Sequence, residues 1–159
     1  MIGFGFDVHR LAAGESLILG GVEFTQVTLG TVAHSDGDVL LHAIMDALLG
    51  SCSLGDIGMH FPDTDAKYRN VSSIDLLKDV KLLLDGEGVT IVNIDSTVVL
   101  EAPKLRPFVY AMREKIADAL GLSVKRVSIK ATTNEKLGFI GREEGVAAYA
   151  VCEVQHAGK

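Results

Sequence analysis

Residues 36–49 constrain the possible folds of this chain more than any other stretch. At about 100° per residue, Val39, Leu40, Ala43, Ile44, Ala47 and Leu48 fall on one continuous apolar stripe, so the segment predicts a helix that must bury that side. Gly50 stands just beyond its end as the expected stop. Asp38, His42 and Asp46 follow at i, i+4 and i+8 on the opposite side. A row of charges alone reads as a solvated face. An imidazole with a carboxylate one turn to either side can also be a metal ligand, with Asp38 or Asp46 fixing its tautomer.

The helix needs a layer to pack on, and the rest of the chain supplies strands. Gly3-Phe4-Gly5-Phe6 reads as an opening strand that carries on through Asp7-Val8-His9. Leu17-Ile18-Leu19 and Val22-Glu23-Phe24 flank Gly20-Gly21, a two-residue hairpin signal. Residues 55–70 are rich in turn formers and read as irregular. A second helix starts with Ser72 or Ser73 as its cap and ends before Gly86. The Val-, Ile- and Thr-rich stretch 89–100 predicts a strand. Pro107 suits the first turn of a third helix running to Leu120, with Gly121 as its stop. Strands at 127–131 and 146–154 complete the order, which predicts a single α+β domain over 1–159: a mixed sheet with helices on one face.

Asp7 and His9 are two apart on the opening strand, so both point to the same face. With His42 from the helix they make one carboxylate and two imidazoles. That set suits zinc with a fourth position left open, which a catalytic ion needs and a structural one does not.

Composition narrows the partners. A net charge of −6 argues against nucleic acid, so a bound phosphate must be held by metal ions, backbone N–H groups and a few local cations. No apolar run approaches a membrane span, and the N-terminus has no targeting pattern, which makes the cytoplasm the expected location. Cys52 and Cys152 lack metal or redox spacing and read as a reduced, buried pair.

Further motifs follow in order: Gly5-Phe6-Asp7-Val8-His9, Ala33-His34-Ser35-Asp36-Gly37-Asp38, Gly55-Asp56-Ile57-Gly58 and Phe61-Pro62-Asp63-Thr64-Asp65, then Ala102-Pro103-Lys104 and the run from Lys130 through Thr133-Asn134-Glu135 to Phe139. Together they closely resemble the 2-C-methyl-D-erythritol 2,4-cyclodiphosphate synthase family of the non-mevalonate isoprenoid pathway, in its monofunctional form. The resemblance implies a homotrimer with an active site at each subunit junction. It implies cyclisation of 4-diphosphocytidyl-2-C-methyl-D-erythritol 2-phosphate with release of CMP. Asp7, His9 and His42 would hold zinc, and Glu135 a magnesium or manganese ion shared with the substrate's diphosphate.

By the same resemblance, His34 and Thr133 steady the phosphates in the transition state, with Ser35 beside them and Val8 next to the ligands. Asp56, Ile57 and Gly58 match a ribose- and erythritol-contacting loop, and Phe61, Pro62, Asp63, Thr64 and Asp65 a flexible segment over the methylerythritol end. Leu100, Glu101, Ala102, Pro103, Lys104, Leu105 and Arg106 match a cytosine pocket, completed by Ala131, Thr132 and Thr133, with Asn134 a substrate-side position next to Glu135. Phe139 and Arg142 match substrate-side positions. With Phe6 and Gly138 they also match the mouth of a central cavity that holds an isoprenoid diphosphate in some members.

Phe4, Glu101 and Asn134 depart from residues common in the family, without touching a ligand. Two rival readings stand beside the cyclising enzyme: a zinc phosphohydrolase using metal-bound water, and a non-catalytic isoprenoid-diphosphate-binding trimer.

Overall fold

The computed structural model describes residues 1–157. Its centre is the predicted helix, α1 (Val39–Ser51), laid along the opening strand β1 (Ile2–Ala13). Gly3 and Gly5 make that approach possible. A Cβ on Gly3 would collide with the carbonyl oxygen of Ala47, and one on Gly5 with that of Ala43. The glycines that look like flexibility in the sequence are therefore a flat bed for the helix.

The main sheet has five strands in the order β4-β1-β7-β5-β6, where β4 is Leu29–Thr31, β5 Val89–Val99, β6 Val127–Thr132 and β7 Gly145–His156. Only β5 and β6 pair in parallel; β1 with β4, β1 with β7 and β5 with β7 are antiparallel. Asp7, Ala148, Val98 and Ala131 occupy one row across four strands. The hairpin of β2 (Leu17–Leu19) and β3 (Val22–Phe24) forms separately around Gly20-Gly21, as predicted.

The long helices α1, α3 (Ser73–Gly86) and α4 (Val109–Leu120) cover one face of the sheet. The opposite face is largely bare and apolar, with Ile2, Phe4, Phe6, Tyr149 and Val151 all exposed. Short helix α5 (Gly138–Gly141) sits at one end of that second face, where Ile140 buries Val99 and Ala147. A further short helix, α2 (Ile57–His60), and two 3-10 turns over 66–68 and 106–108 lie in stretches read as irregular or as a helix start. Among the described residues no helix is long and apolar enough to cross a membrane.

Several boundaries differ from the sequence reading. Helix α1 begins at Val39 rather than 36, because Gly37 takes φ 71° and Asp38 caps the helix by accepting from Leu41 N–H at 3.1 Å. It runs through Gly50, and the left-handed residue after it is Ser53 at φ 59°. Gly86 likewise stays inside α3, with Gly88 left-handed beyond it. Gly121 ends α4 in the left-handed conformation, as predicted. The charged row of α1 is not solvated: Asp38 is 0% and His42 8% exposed, because β1 and α3 enclose the helix on both sides. Cys152 is buried but Cys52 only half-buried, and both are free.

Candidate active site

Gly3, Gly5, Asp7 and His9 share the helix-facing side of β1, so the row that meets Ala47 and Ala43 reaches the first turns of α1 at Asp7. There Asp7 Oδ2 lies 3.0 Å from His42 Nδ1 and 3.0 Å from His9 Nδ1. The other carboxylate oxygen accepts from Val8 N–H at 2.9 Å. Among the described residues this is the one group of three or more His, Cys, Asp or Glu whose ligand atoms all lie within 4.8 Å of one another.

The chemistry of these atoms fits a cation. His9 Nδ1 is buried and, despite its closeness to Asp7, makes no hydrogen bond of acceptable geometry. A buried nitrogen without a partner is costly unless something else meets its lone pair. Ligands around a tetrahedral zinc stand about 3.3 Å apart, so the 3.0 Å separations leave such an ion little adjustment to make. Burial works to raise the Asp7 carboxyl, but the His42 and His9 imidazoles outweigh it and hold the group at about 2. Burial works to lower His42, but the hydrogen bond to Asp7 and the carboxylates of Asp7, Asp38 and Asp36 push it up. The pocket thus favours positive charge at its centre.

The tautomer of His42 is not set as the helix pattern predicted. The Asp38 carboxylate instead accepts from Gly20 and Gly21 N–H at 3.0 and 2.7 Å, tying the hairpin to α1. Asp46 accepts from Ile57 N–H at 2.9 Å and so positions α2. What faces His42 Nε2 is Ser73 Oγ at 3.2 Å and Ser35 Oγ at 3.4 Å. The sequence offers Ser73 only as a possible helix cap. Its contact with His42 spans 31 positions in the chain, and no local pattern announces it.

A cleft of about 900 Å³ opens beside the triad, lined by His9, His42, His34 and Ser35 and by Ile57, Gly58 and the 61–64 segment. Asp56 caps α2 by accepting from Met59 N–H at 3.0 Å, and Asp65 caps the next turn by accepting from Lys67 N–H at 3.0 Å. Phe61 stands edge-on to Tyr68 at 5.5 Å within the covering segment, and Asn70 N–H donates to His34 O at its far end.

The remaining candidates gather elsewhere. Residues 100–106 and 131–135 lie at the β5 and β6 ends, and none of them lines the cleft. Ala131 is three strand spacings from Asp7 along their shared row, about 14 Å. Glu101 organises this second group. Its side chain is 2% exposed and accepts from Asn134 N–H at 2.7 Å and Lys136 N–H at 3.4 Å, with Lys136 Nζ at 3.3 Å. Glu135 and Lys136 are both left-handed there, at φ 52° and 63°, and Thr133 Oγ1 donates to Glu135 Oε1 at 3.3 Å. Phe139 lines a separate hollow of about 600 Å³ with Val8, His9, Arg10 and Glu143, while Arg142 pairs with Glu144 at 3.0 Å.

Comparison with known proteins places this arrangement. A protein of Symbiobacterium thermophilum named 2-C-methyl-D-erythritol 2,4-cyclodiphosphate synthase is 60% identical over 151 residues, covering 95% of this chain and 96% of its own. One of Chlorobium phaeobacteroides with the same name is 57% identical over 153 residues, with 96% of each covered. The solved structure of Plasmodium falciparum IspF in complex with CDP superposes with a TM-score of 0.87 at 29% identity, over 99% of this chain and 96% of that one. The pattern of the YgbB family matches residues 1–155, and the chain belongs to that family.

Proposed function

We propose that this chain cyclises 4-diphosphocytidyl-2-C-methyl-D-erythritol 2-phosphate to 2-C-methyl-D-erythritol 2,4-cyclodiphosphate, with release of CMP. The observation that carries the reading is the convergence of Asp7, His9 and His42, the two histidines lining the cleft, in a chain so similar to proteins named for that reaction. An oxygen of the substrate's own 2-phosphate attacks the β-phosphorus while the bond from that phosphorus to the oxygen of CMP breaks. No side-chain nucleophile is required, and catalysis rests on positioning and charge neutralisation. Zinc held by Asp7, His9 and His42 would polarise the β-phosphate, and a magnesium or manganese ion held by Glu135 would neutralise the diphosphate.

The protein's own groups do the rest. His34 and Ser35 border the cleft next to the triad and take the phosphate end with Thr133. Ile57, Gly58 and the 61–65 segment close over the methylerythritol, with Asp56 on the ribose. Leu100 and Leu105 are 5% and 3% exposed, so this pocket meets the cytosine through backbone groups of 100–106 and 131–133 rather than through those side chains.

The family resemblance further suggests a homotrimer with sites at subunit junctions. In one chain the ligand triad and the 131–135 segment lie at different ends of a strand row, which supports a neighbour bringing the second to the first. The bare face of Ile2, Phe4, Phe6, Tyr149 and Val151 is the kind of apolar patch that an assembly covers. Phe6, Gly138, Phe139 and Arg142 would then border a central cavity able to take an isoprenoid diphosphate. Residues 1–159 act as one domain in this reading, in the cytoplasm.

The test is phosphorus NMR of the purified protein with the cytidyl substrate. A cyclic diphosphate and CMP are expected. Linear phosphate products would point to hydrolysis by metal-activated water, and absence of turnover with retained isoprenoid-diphosphate binding to a binding protein; either outcome overturns the proposal.

A further inference from the structure

We propose that Asp36 and Ser73 are positioning residues for the metal centre: they keep the proton of His42 on Nε2 and leave Nδ1 for the cation. The inference rests on the reading of Asp7, His9 and His42 as ligands and adds how one of them is prepared.

The argument follows the protons. Asp36 turns back onto the start of α3, where its Oδ2 accepts from Ser73 N–H at 2.8 Å and its Oδ1 lies 2.5 Å from Ser73 Oγ. A carboxylate only accepts, so the Ser73 hydroxyl proton goes to Asp36. Ser73 Oγ then has only lone pairs left to offer, and the group facing it is His42 Nε2 at 3.2 Å. That contact is satisfied only if Nε2 carries hydrogen. Ser73 is 0% exposed, which bars water from replacing either bond. Ser35 Oγ, at 3.4 Å from Nε2, accepts from Gly37 N–H and keeps a second lone pair, so it is compatible with hydrogen on Nε2.

With its neutral proton on Nε2, His42 presents the lone pair of Nδ1 to Asp7 Oδ2, 3.0 Å away. Two acceptors at that distance repel unless a proton or metal ion sits between them. The pair of half-buried Asp36 and buried Ser73 thus turns His42 into a ligand aimed at the same point as His9 Nδ1. It also joins two elements at the centre, the start of α1 and the start of α3. Asp36 Oδ1 accepts from Asp38 N–H at 3.2 Å, in the turn that launches α1, while Ser73 is the first residue of α3. Neither residue touches the proposed ligand positions of the ion itself, so both act through His42.

Ser73→Ala tests the hydroxyl alone, because the backbone N–H bond from residue 73 to Asp36 survives. Zinc affinity measured by competition with a chromogenic chelator should fall about 10- to 100-fold, with one zinc per chain still reached at saturation. Asp36→Asn should weaken zinc similarly, because its amide can donate to Ser73 Oγ and free the hydroxyl to donate to Nε2, against the required proton. Nitrogen-15 NMR of the zinc-loaded wild type should show His42 with Nε2 protonated and Nδ1 metal-bound. Zinc affinity of Ser73→Ala within twofold of wild type, even with a lowered melting temperature of the metal-free protein, would reduce the pair to a structural role and overturn the proposal. So would protonated Nδ1 in the zinc-loaded wild type. If the wild type itself binds less than one zinc, or His42→Ala binds it equally well, the ligand assignment fails and this inference with it.

Discussion

Gly5 of β1 lies against the carbonyl of Ala43 in α1 so closely that no side chain fits between them. This contact sets the height of the helix above the strand, and His42 is the residue next to Ala43. Gly5→Ala must therefore lift α1 away from the row that carries Asp7 and His9. Overpacking of this kind costs about 1–3 kcal/mol. The expected outcome is a lower melting temperature together with weaker zinc binding. Wild-type zinc affinity in a well-folded Gly5→Ala protein would show that the helix height does not govern the metal site.

Removing a ligand should act on the metal without touching the core, since His9 lines the cleft and is not part of the apolar cluster. For His9→Ala we expect zinc content below one per chain and no turnover, with circular dichroism unchanged. Full occupancy in that variant, measured by elemental analysis, would contradict the ligand assignment.

Glu135 and Glu101 separate the second ion from the first. Glu135→Ala should keep zinc while raising the magnesium concentration needed for half-maximal rate. Glu101→Ala should do the same indirectly, since Asn134 and Lys136 N–H lose their acceptor and the left-handed pair at 135–136 loses its anchor. Glu101→Gln keeps one acceptor oxygen and should fall between the two. An unchanged magnesium requirement in Glu101→Ala would remove the anchoring role.

Asp38 makes a pH-dependent contribution. Its complete burial pushes its carboxyl up to about 6, despite three backbone N–H donors from Gly21, Leu41 and Gly20. Because the folded value lies above the unfolded 3.8, folding takes up a proton between about pH 4 and 6. The group therefore favours the folded state increasingly as pH falls through that window and less as pH rises through 6. Asp38→Asn cannot titrate and leaves one N–H short of an acceptor, a loss of about 1–3 kcal/mol. Urea unfolding of the metal-free proteins should show the wild-type advantage growing from pH 6.5 to pH 4. A constant difference across that range would place the carboxyl at its ordinary value.

Local rules reached far into this protein. The period of two on β1 put Asp7 and His9 on one face, the hairpin at Gly20-Gly21 formed as read, and Gly121 closed α4. The stripe Val39, Leu40, Ala43, Ile44, Ala47 and Leu48 is buried as drawn. The same rules failed on the opposite side of α1. A helical wheel treats polar residues as facing water, and here the surroundings come from parts of the chain far away in sequence. Asp38 meets a hairpin 17 and 18 positions upstream, Asp46 meets Ile57, and His42 meets Ser73.

The sequence by itself thus determined which residues can bind a metal, and which elements carry them, because both follow from residue type and spacing along one strand and one helix. Only the tertiary structure decided that Ser73, itself held by Asp36, rather than Asp38 or Asp46, faces His42 Nε2. A hydrogen-bond partner is set by distance in space, and a 37-residue separation between Asp36 and Ser73 leaves no periodicity for the sequence to display.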